Sequence, residues 1–363
     1  MEGLEVSHFG GAFRGRKVLL TGHTGFKGSW LALWLQQLGA EVVGLALPPD
    51  TQPSHWNLLK LDVEERQLDI RDYAVVQKMV AQVQPDIVFH LAAQALVRRS
   101  YTDPLTTWAT NVQGTAHVLE ACRQAGNVRA IVVVTTDKCY ENQEWLWGYR
   151  ENDRLGGHDP YSASKAGAEL VAASYRKSYF SGENSPLLAT ARAGNVIGGG
   201  DWSQDRLIPD LVRASSCGES VEIRSPQATR PWQHVLESLS GYLLLGQRLL
   251  ERQPEYAEAW NFGPDESGNQ PVSAVLSKLT QSWGELRWHV TGAPQPHEAS
   301  LLQLDSTKAR TLLRWLPVWG LDEGLRQTAS WYRAYGEKGD VISRQQLADY
   351  VAAAKAKNIG WAV

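Results

Sequence analysis

From about residue 17 to 192, short apolar runs rich in β-branched residues alternate with longer stretches whose apolar positions recur at helical spacing. KVLLT (17–21), EVVGLAL (41–47), DIVFHLA (86–92) and AIVVVTT (130–136) read as strands, and 26–38 between the first two reads as a helix. Near-continuous apolar strands separated by helices predict a parallel sheet covered on both faces, because a sheet with one wet face would alternate polar and apolar positions. The first part is therefore expected to be a doubly wound α/β domain. Past residue 193 the rhythm changes. GNVIGGGDW is glycine-rich, a helix is expected over 207–216, SVEIRS is brief and strand-like, and two helical stretches, 321–335 and 343–354, close the chain. The expected organisation is an N-terminal tail at 1–12, a dinucleotide-binding domain at 13–195 and a smaller mixed α/β substrate domain at 196–363. Strands of the second part can cross back into the first sheet, and the active cleft is expected between the two, where ligand pockets commonly form.

Composition narrows the function classes. The 363 residues carry 36 Lys plus Arg against 39 Asp plus Glu, a formal net charge of −3, so no chain-wide basic field exists to attract nucleic acid or anionic lipid. No apolar run approaches the ~20 residues that span a bilayer. The opening MEGLEVSHFGGAF has no basic segment followed by an apolar one, which points to a cytoplasmic protein. Cys122, Cys139 and Cys217 are odd in number and widely spaced. They suggest reduced thiols rather than a disulfide framework or a zinc site. Most of the fifteen tryptophans are expected in core or interface packing.

The first strand runs into Gly22, His23, Thr24, Gly25, Phe26, Lys27 and Gly28, followed by a helix. Glycines at 22, 25 and 28 allow a tight turn, close approach of a pyrophosphate to the backbone, and packing of helix on strand, while the helix N-terminus offers free amides. The spacing, GxxGxxG, differs from the GxGxxG of many dinucleotide sites, so its position between strand and helix carries the inference. The carboxylate that usually binds the adenosine ribose is missing at 44–48 (GLALP), and no Arg or Lys stands there for a 2′-phosphate, so NAD is preferred to NADP. Asp69 and Ile70 follow the next strand, where Asp69 could accept from the adenine amine or be a solvated loop carboxylate. Leu91, Ala92, Ala93 and Gln94 place small residues where a cofactor would cross a strand end.

Tyr161 and Lys165 are four residues apart, one turn along the same helix face, just after an Asp159-Pro160 start signal. An ammonium beside a phenol stabilises phenolate, so Tyr161 is expected to have a lowered pKa and to accept a hydroxyl proton during hydride transfer, with Lys165 also holding the nicotinamide ribose. TGHTGFKG, LAAQ, Asn111 in TNVQGT, TTDK and YSASK, in that order, resemble the nucleotide-sugar branch of the extended short-chain dehydrogenase/reductase family. ARAGNVIGGGDW and RPWQHV strengthen the resemblance, which covers nearly everything after the first twelve residues.

That resemblance implies a tightly held NAD that transiently oxidises a sugar carbon. Thr136, Asp137 and Lys138 resemble the loop of the branch's 4,6-dehydratases, most of which have a glutamate where Lys138 stands. The lysine, with HTGFKG and GDWSQDRLIPD, resembles the subgroup that acts on CDP-linked glucose in deoxysugar supply, including lipopolysaccharide O-antigen. It implies that Tyr161 and Thr136 act at the C4 hydroxyl, that Asp137 protonates the departing C6 hydroxyl, and that Lys138 is the positional candidate for the C5 base. Asn195, Arg206 and Arg230 would meet the sugar nucleotide, and Arg99 would reach the sugar or diphosphate. Arginine suits the last role because its guanidinium binds phosphate in bidentate fashion. A homodimer, alternatively a tetramer, is implied through helices at 105–122 and 163–179. Competing readings are an NAD-dependent nucleotide-sugar 4-epimerase and a non-catalytic NAD sensor.

Overall fold

The computed structural model describes residues 8–283, 286–290 and 300–363. Twelve strands occur among them: β1 (Lys17–Thr21), β2 (Glu41–Ala46), β3 (Glu64–Gln67), β4 (Ile87–His90), β5 (Ala130–Val134), β6 (Leu187–Ala193), β7 (Asn195–Ile197), β8 (Val221–Ile223), β9 (Thr229–His234), β10 (Ala259–Phe262), β11 (Asn269–Pro271) and β12 (Trp288–Val290). Seven form one sheet in the order β10-β6-β5-β4-β1-β2-β3, with every neighbouring pair parallel. The doubly wound α/β class is thus observed.

Side chains along each inner strand divide between two apolar layers. Val18, Leu20, Ile87, Phe89 and Val132 pack with Trp30, Trp34 and Tyr242, while Leu19, Val88, Ile131 and Val133 pack with Val80, Val118 and Leu119. Because successive residues point to opposite faces, burial on both faces requires the unbroken apolar runs seen in the sequence. β3 reads Glu-Glu-Arg-Gln and is exposed throughout. It lies at the sheet edge, where charged side chains block further strand pairing.

After β3 the chain returns to the other side of β1, so the strand order reverses between β1 and β4. A crevice opens beyond the carboxyl ends of strands at such a point. The smaller sheets, β11-β9-β7 and β12-β8, border it. β10 lies in the first sheet beside β6, and the helix Val235–Leu250 is buried against the same sheet, so residues past 195 help build the first core. Of the expected tail at 1–12, residues 1–7 lie outside the described residues. Phe9 is buried and stacks on Trp361 at a ring separation of 4.9 Å, which seats the end of that stretch in the core.

Three interior histidines set an acid limit on the fold. His55 sits between the hydroxyls of Ser29 and Ser343, 2.8 Å from each, and His90 between Thr21 at 2.7 Å and Thr115 at 3.1 Å. Burial pulls His55, His90 and His234 down to about 3 from an ordinary 6.5. The unfolded chain binds these protons below its ordinary pKa, whereas the folded chain resists them until about 3. Their contribution is therefore complete above the unfolded value and is lost as pH falls through this window. Glu237, pushed up to about 7 by burial, acts oppositely, as do Glu151 and Asp210, also raised by burial; of the three only Glu237 is shifted far, against three histidines that are. The urea midpoint is expected to fall between pH 7 and about pH 5, and His55→Gln is expected to flatten part of that slope; a midpoint constant over this range contradicts the assignment.

Candidate active site

The carboxyl ends of β1, β4, β5 and β6 open into a cleft of about 2160 Å³. A single small ligand fills roughly 300–1,000 Å³. The volume therefore suits two ligands side by side.

Residues 22–28 form one end of the cleft. A Cβ on Gly28 would lie 2.0 Å from the Gly22 carbonyl oxygen, and one on Gly22 would lie 2.6 Å from the Ala92 backbone nitrogen. No side chain fits at either place. The helix Phe26–Gln37 begins at Gly25 with no side chain capping its amides. Free N–H groups at a helix start facing a cleft suit a pyrophosphate, so the residues present fit a dinucleotide. Gly22, Thr24, Gly25, Phe26, Lys27, Gly28, Asp69, Ile70, Leu91, Ala92, Ala93 and Gln94 all line the cleft.

Two residues expected against the cofactor do not line it. His23 is buried beneath the turn, its Nε2 3.3 Å from Glu65 Oε2, and its ring occupies the space that a side chain at Gly44 would need. Asn111 is a brace. Its Oδ1 accepts from the Gln94 amide at 2.8 Å, and its Nδ2 donates to the Gln94 carbonyl at 3.0 Å and to Ser164 Oγ at 2.9 Å. It thereby ties the loop after β4 to the helix that carries Tyr161. Both Asp69 oxygens accept from Arg71, which holds that carboxyl below its usual range. Lys27 turns its Nζ to the Tyr242 hydroxyl at 3.2 Å, and burial lowers it to about 7.

The helix Pro160–Ser178 starts at Asp159, whose carboxylate accepts from the Ser162 amide, with Pro160 in the first turn. This start presents Tyr161 and Lys165 to the cleft. Lys165 is not among the groups that shift the Tyr161 phenol here. Burial pushes Tyr161 up to about 12, against a partial offset from hydrogen bonding with Thr136. Lys165 Nζ instead donates to the Val134 carbonyl at 3.3 Å, and burial brings it down to about 8.

Thr136, Asp137 and Lys138 follow β5, the last two on a short 3₁₀ turn, Asp137–Cys139. Thr136 Oγ1 donates to Asp137 Oδ1 at 2.9 Å. Asp137 is 1% exposed, and its Oδ2 has no partner. A Cβ on Gly194 would come within 3.2 Å of that oxygen, so the glycine keeps its surroundings open. A buried carboxylate oxygen left unpaired is costly, and such groups mark positions where a ligand or a proton completes the site. Lys138 is half-buried and also lines the cleft.

Arg99, Asn195, Arg206 and Arg230 line the rest. Arg206 pairs with Asp201 at 2.8 Å, and Arg99 lies 3.7 Å from Asp50. Sequence reasoning missed the ion pair behind the site. Arg192 meets Glu169 at 2.7 Å with both side chains buried, and Glu169 also accepts from Thr135 and Thr190. Burial works to raise Glu169, but the guanidinium and these hydroxyls outweigh it. The available signal was Glu169 standing four residues beyond Lys165 on the same helix.

The profile of the GDP-mannose 4,6 dehydratase family matches residues 19–328. The chain belongs to that family. Among curated relatives, the CDP-glucose 4,6-dehydratase of Salmonella typhimurium is 48% identical over 350 residues, covering 94% of this chain and 98% of that protein. Two solved structures share the family fold. A Streptomyces venezuelae dTDP-glucose 4,6-dehydratase with NAD bound has a TM-score of 0.75 at 25% identity, covering 87% of this chain and 96% of its own. A Thermus thermophilus UDP-glucose 4-epimerase in complex with NAD has a TM-score of 0.75 at 26% identity, covering 87% and 98%. Dehydratases and epimerases thus share this scaffold, and the fold alone does not separate them.

Proposed function

We propose that this chain is a nucleotide-sugar 4,6-dehydratase, a hydro-lyase that removes water from CDP-glucose to give CDP-4-keto-6-deoxyglucose. NAD is the cofactor. The observation that carries the reading is Asp137, a buried carboxylate with a free oxygen, bonded to Thr136 beside Tyr161. An epimerase has no C–O bond to break and no use for such an acid. The cytidine preference rests on the Salmonella relative.

NAD, when bound, supplies a two-electron acceptor that gives the electrons back within the same turnover. The chain's own residues handle positions and protons. Tyr161 takes the proton of the C4 hydroxyl, with Thr136 fixing the same oxygen, and Lys165 orients the cofactor ribose. The resulting 4-keto group acidifies C5–H, whose proton Lys138 takes. Asp137, protonated at that moment, delivers its proton to the C6 hydroxyl as water leaves. Arg99, Asn195, Arg206 and Arg230 hold the sugar nucleotide, the arginines through its diphosphate.

We divide the chain functionally near residue 195, with β10 and the helix Val235–Leu250 as crossovers. The three cysteines are free, which suits a reducing cytoplasm, and among the described residues no helix is long and apolar enough to cross a membrane. The product belongs to deoxysugar supply for surface glycans such as O-antigen.

Incubation with CDP-, dTDP-, GDP- and UDP-hexoses, followed by mass spectrometry, is expected to show loss of water from CDP-glucose above the others. Asp137→Asn and Lys138→Ala are expected to stop that loss while reduced cofactor still forms. A returned C4 epimer, or near-normal turnover in both variants, overturns the reading.

We also infer a homodimer, with a tetramer as its doubled form. Leu105 is 81% exposed and Leu170 61% exposed, on the helices Pro104–Trp108 and Pro160–Ser178. Two such faces on neighbouring helices suit a self-complementary four-helix contact. Leu105→Glu with Leu170→Glu is expected to give monomers by light scattering; an unchanged mass removes these helices from the interface.

A further inference from the structure

The far wall of the cleft carries a carboxylate that the chemistry above does not use. Asp205 lies in the loop after β7, next to Arg206 and just before the helix Leu207–Cys217. Its φ of 60° is in the left-handed region, which is unfavourable for a residue with a Cβ and which Asp and Asn enter most readily. The loop is firmly held in this shape. Arg213 donates to the Trp202 carbonyl at 2.8 Å and to the Ser203 carbonyl at 3.2 Å, the Ser203 amide donates to Asp201 Oδ1 at 3.1 Å, and the Tyr332 hydroxyl donates to the Asp201 carbonyl at 2.5 Å. Backbone strain kept in a pinned loop points to a side chain with a task.

That side chain reaches across the cleft. Asp205 Oδ1 accepts from Arg98 Nη1 at 2.9 Å and lies 3.8 Å from Arg224 Nη2. Arg98 is on the helix Val97–Thr102, which follows β4, and Arg224 directly follows β8, so one oxygen joins opposite walls; all three residues line the cleft. A guanidinium is a fork that suits two oxygens at once, as Arg123 shows with Glu120 at 2.8 and 2.6 Å. Here two forks converge on a single oxygen. The side chains of Arg98 and Asp205 are 44% and 36% exposed, and ion pairs so exposed add little to stability. The contact is therefore readily exchanged for a better anion. A phosphate, with more oxygens and more charge, can satisfy two guanidiniums where one carboxylate oxygen cannot.

We propose that Arg98 and Arg224 bind phosphate in this site and that Asp205 is their place-holder, a carboxylate that keeps both guanidiniums at the cleft until the diphosphate of the nucleotide sugar displaces it. The inference rests on the nucleotide-sugar reading and adds two arginines and a competing carboxylate to the residues assigned there. Arg206, assigned there to the diphosphate, is the residue next to Asp205. With no anion between them, Arg98 and Arg224 would repel each other, and binding would have to order two long side chains. Asp205 orders them beforehand and in exchange competes with the ligand. A clamp closing over bound substrate would use the same residues with the opposite sign, because neutralising its carboxylate would weaken binding.

The sign is measurable by calorimetric titration of the NAD-loaded protein with CDP. Asn tolerates a left-handed φ and keeps an oxygen for Arg98, so Asp205→Asn removes the charge and leaves the loop in place. It is expected to tighten CDP about tenfold, and Arg98→Gln with Arg224→Gln to weaken CDP about tenfold or more, the worth of a charged hydrogen bond. In that double-arginine background, Asp205→Asn is expected to change CDP affinity by about twofold or less, since nothing is left to hold. An affinity weakened or unchanged by Asp205→Asn overturns the place-holder. So does a tightening that persists in full without the arginines, which is the effect of a general field. Should the double variant fail to retain NAD, Arg98→Gln alone serves as the background, and an undiminished tightening there overturns the proposal. If the wild type binds dTDP, GDP or UDP with this pattern and CDP not at all, the place-holder stands and the cytidine preference fails. If it binds none of the four, the nucleotide-sugar reading fails and takes the inference with it.

Discussion

The hydrogen bond from Thr136 to Asp137, made by two buried side chains at the wall of the cleft, is the contact on which the chemistry depends. A carboxylate buried with one oxygen unpaired is unfavourable for folding, and the surroundings have to hold it there. They do so with the backbone. β5 ends at Val134, a short 3₁₀ turn follows, and Gly194, between β6 and β7, leaves the free oxygen uncovered. Burial at the same wall of the cleft lifts the Tyr161 phenol, with hydrogen bonding to Thr136 as a partial offset.

Rigidity behind the site comes from groups that never face the cleft. Asn111 joins the loop after β4 to the Tyr161 helix through three hydrogen bonds. Glu169 and Arg192 join that helix to β6, with Thr135 and Thr190 filling the remaining acceptor positions of the carboxylate. A buried pair of this kind adds little net stability, because desolvation offsets the attraction, but breaking it leaves a lone buried charge. Its value here is positional: it fixes the turn of helix that carries Lys165 relative to the strand end that carries Thr136.

Much of this was readable in the sequence because parallel sheets buried on both faces demand unbroken apolar strands, and β1, β4 and β5 supply them. The glycines at 22 and 28 were legible for a steric reason the structure bears out, since neither can carry a Cβ. β3 was less legible because an edge strand is polar by need, and β10 because its place in the first sheet depends on a crossover that no local pattern encodes. Sequence spacing places Lys165 near the Tyr161 phenol but says nothing of the Val134 carbonyl to which its ammonium donates. His23 and Asn111 lie at the expected positions along the chain, yet tertiary packing turns both inward. Burial and hydrogen-bond partners, unlike spacing, are properties of the assembled sheet.

Dehydration and epimerisation on one scaffold differ in whether an acid stands at the C6 oxygen. A crystal structure of the NAD-loaded protein with a CDP-hexose tests that directly. The account predicts the Tyr161 and Thr136 hydroxyls at the 4-oxygen of the sugar, with Asp137 Oδ2 within hydrogen-bond reach of its 6-oxygen. A hexose seated with its 6-hydroxyl away from Asp137, that oxygen still without a partner, would contradict it.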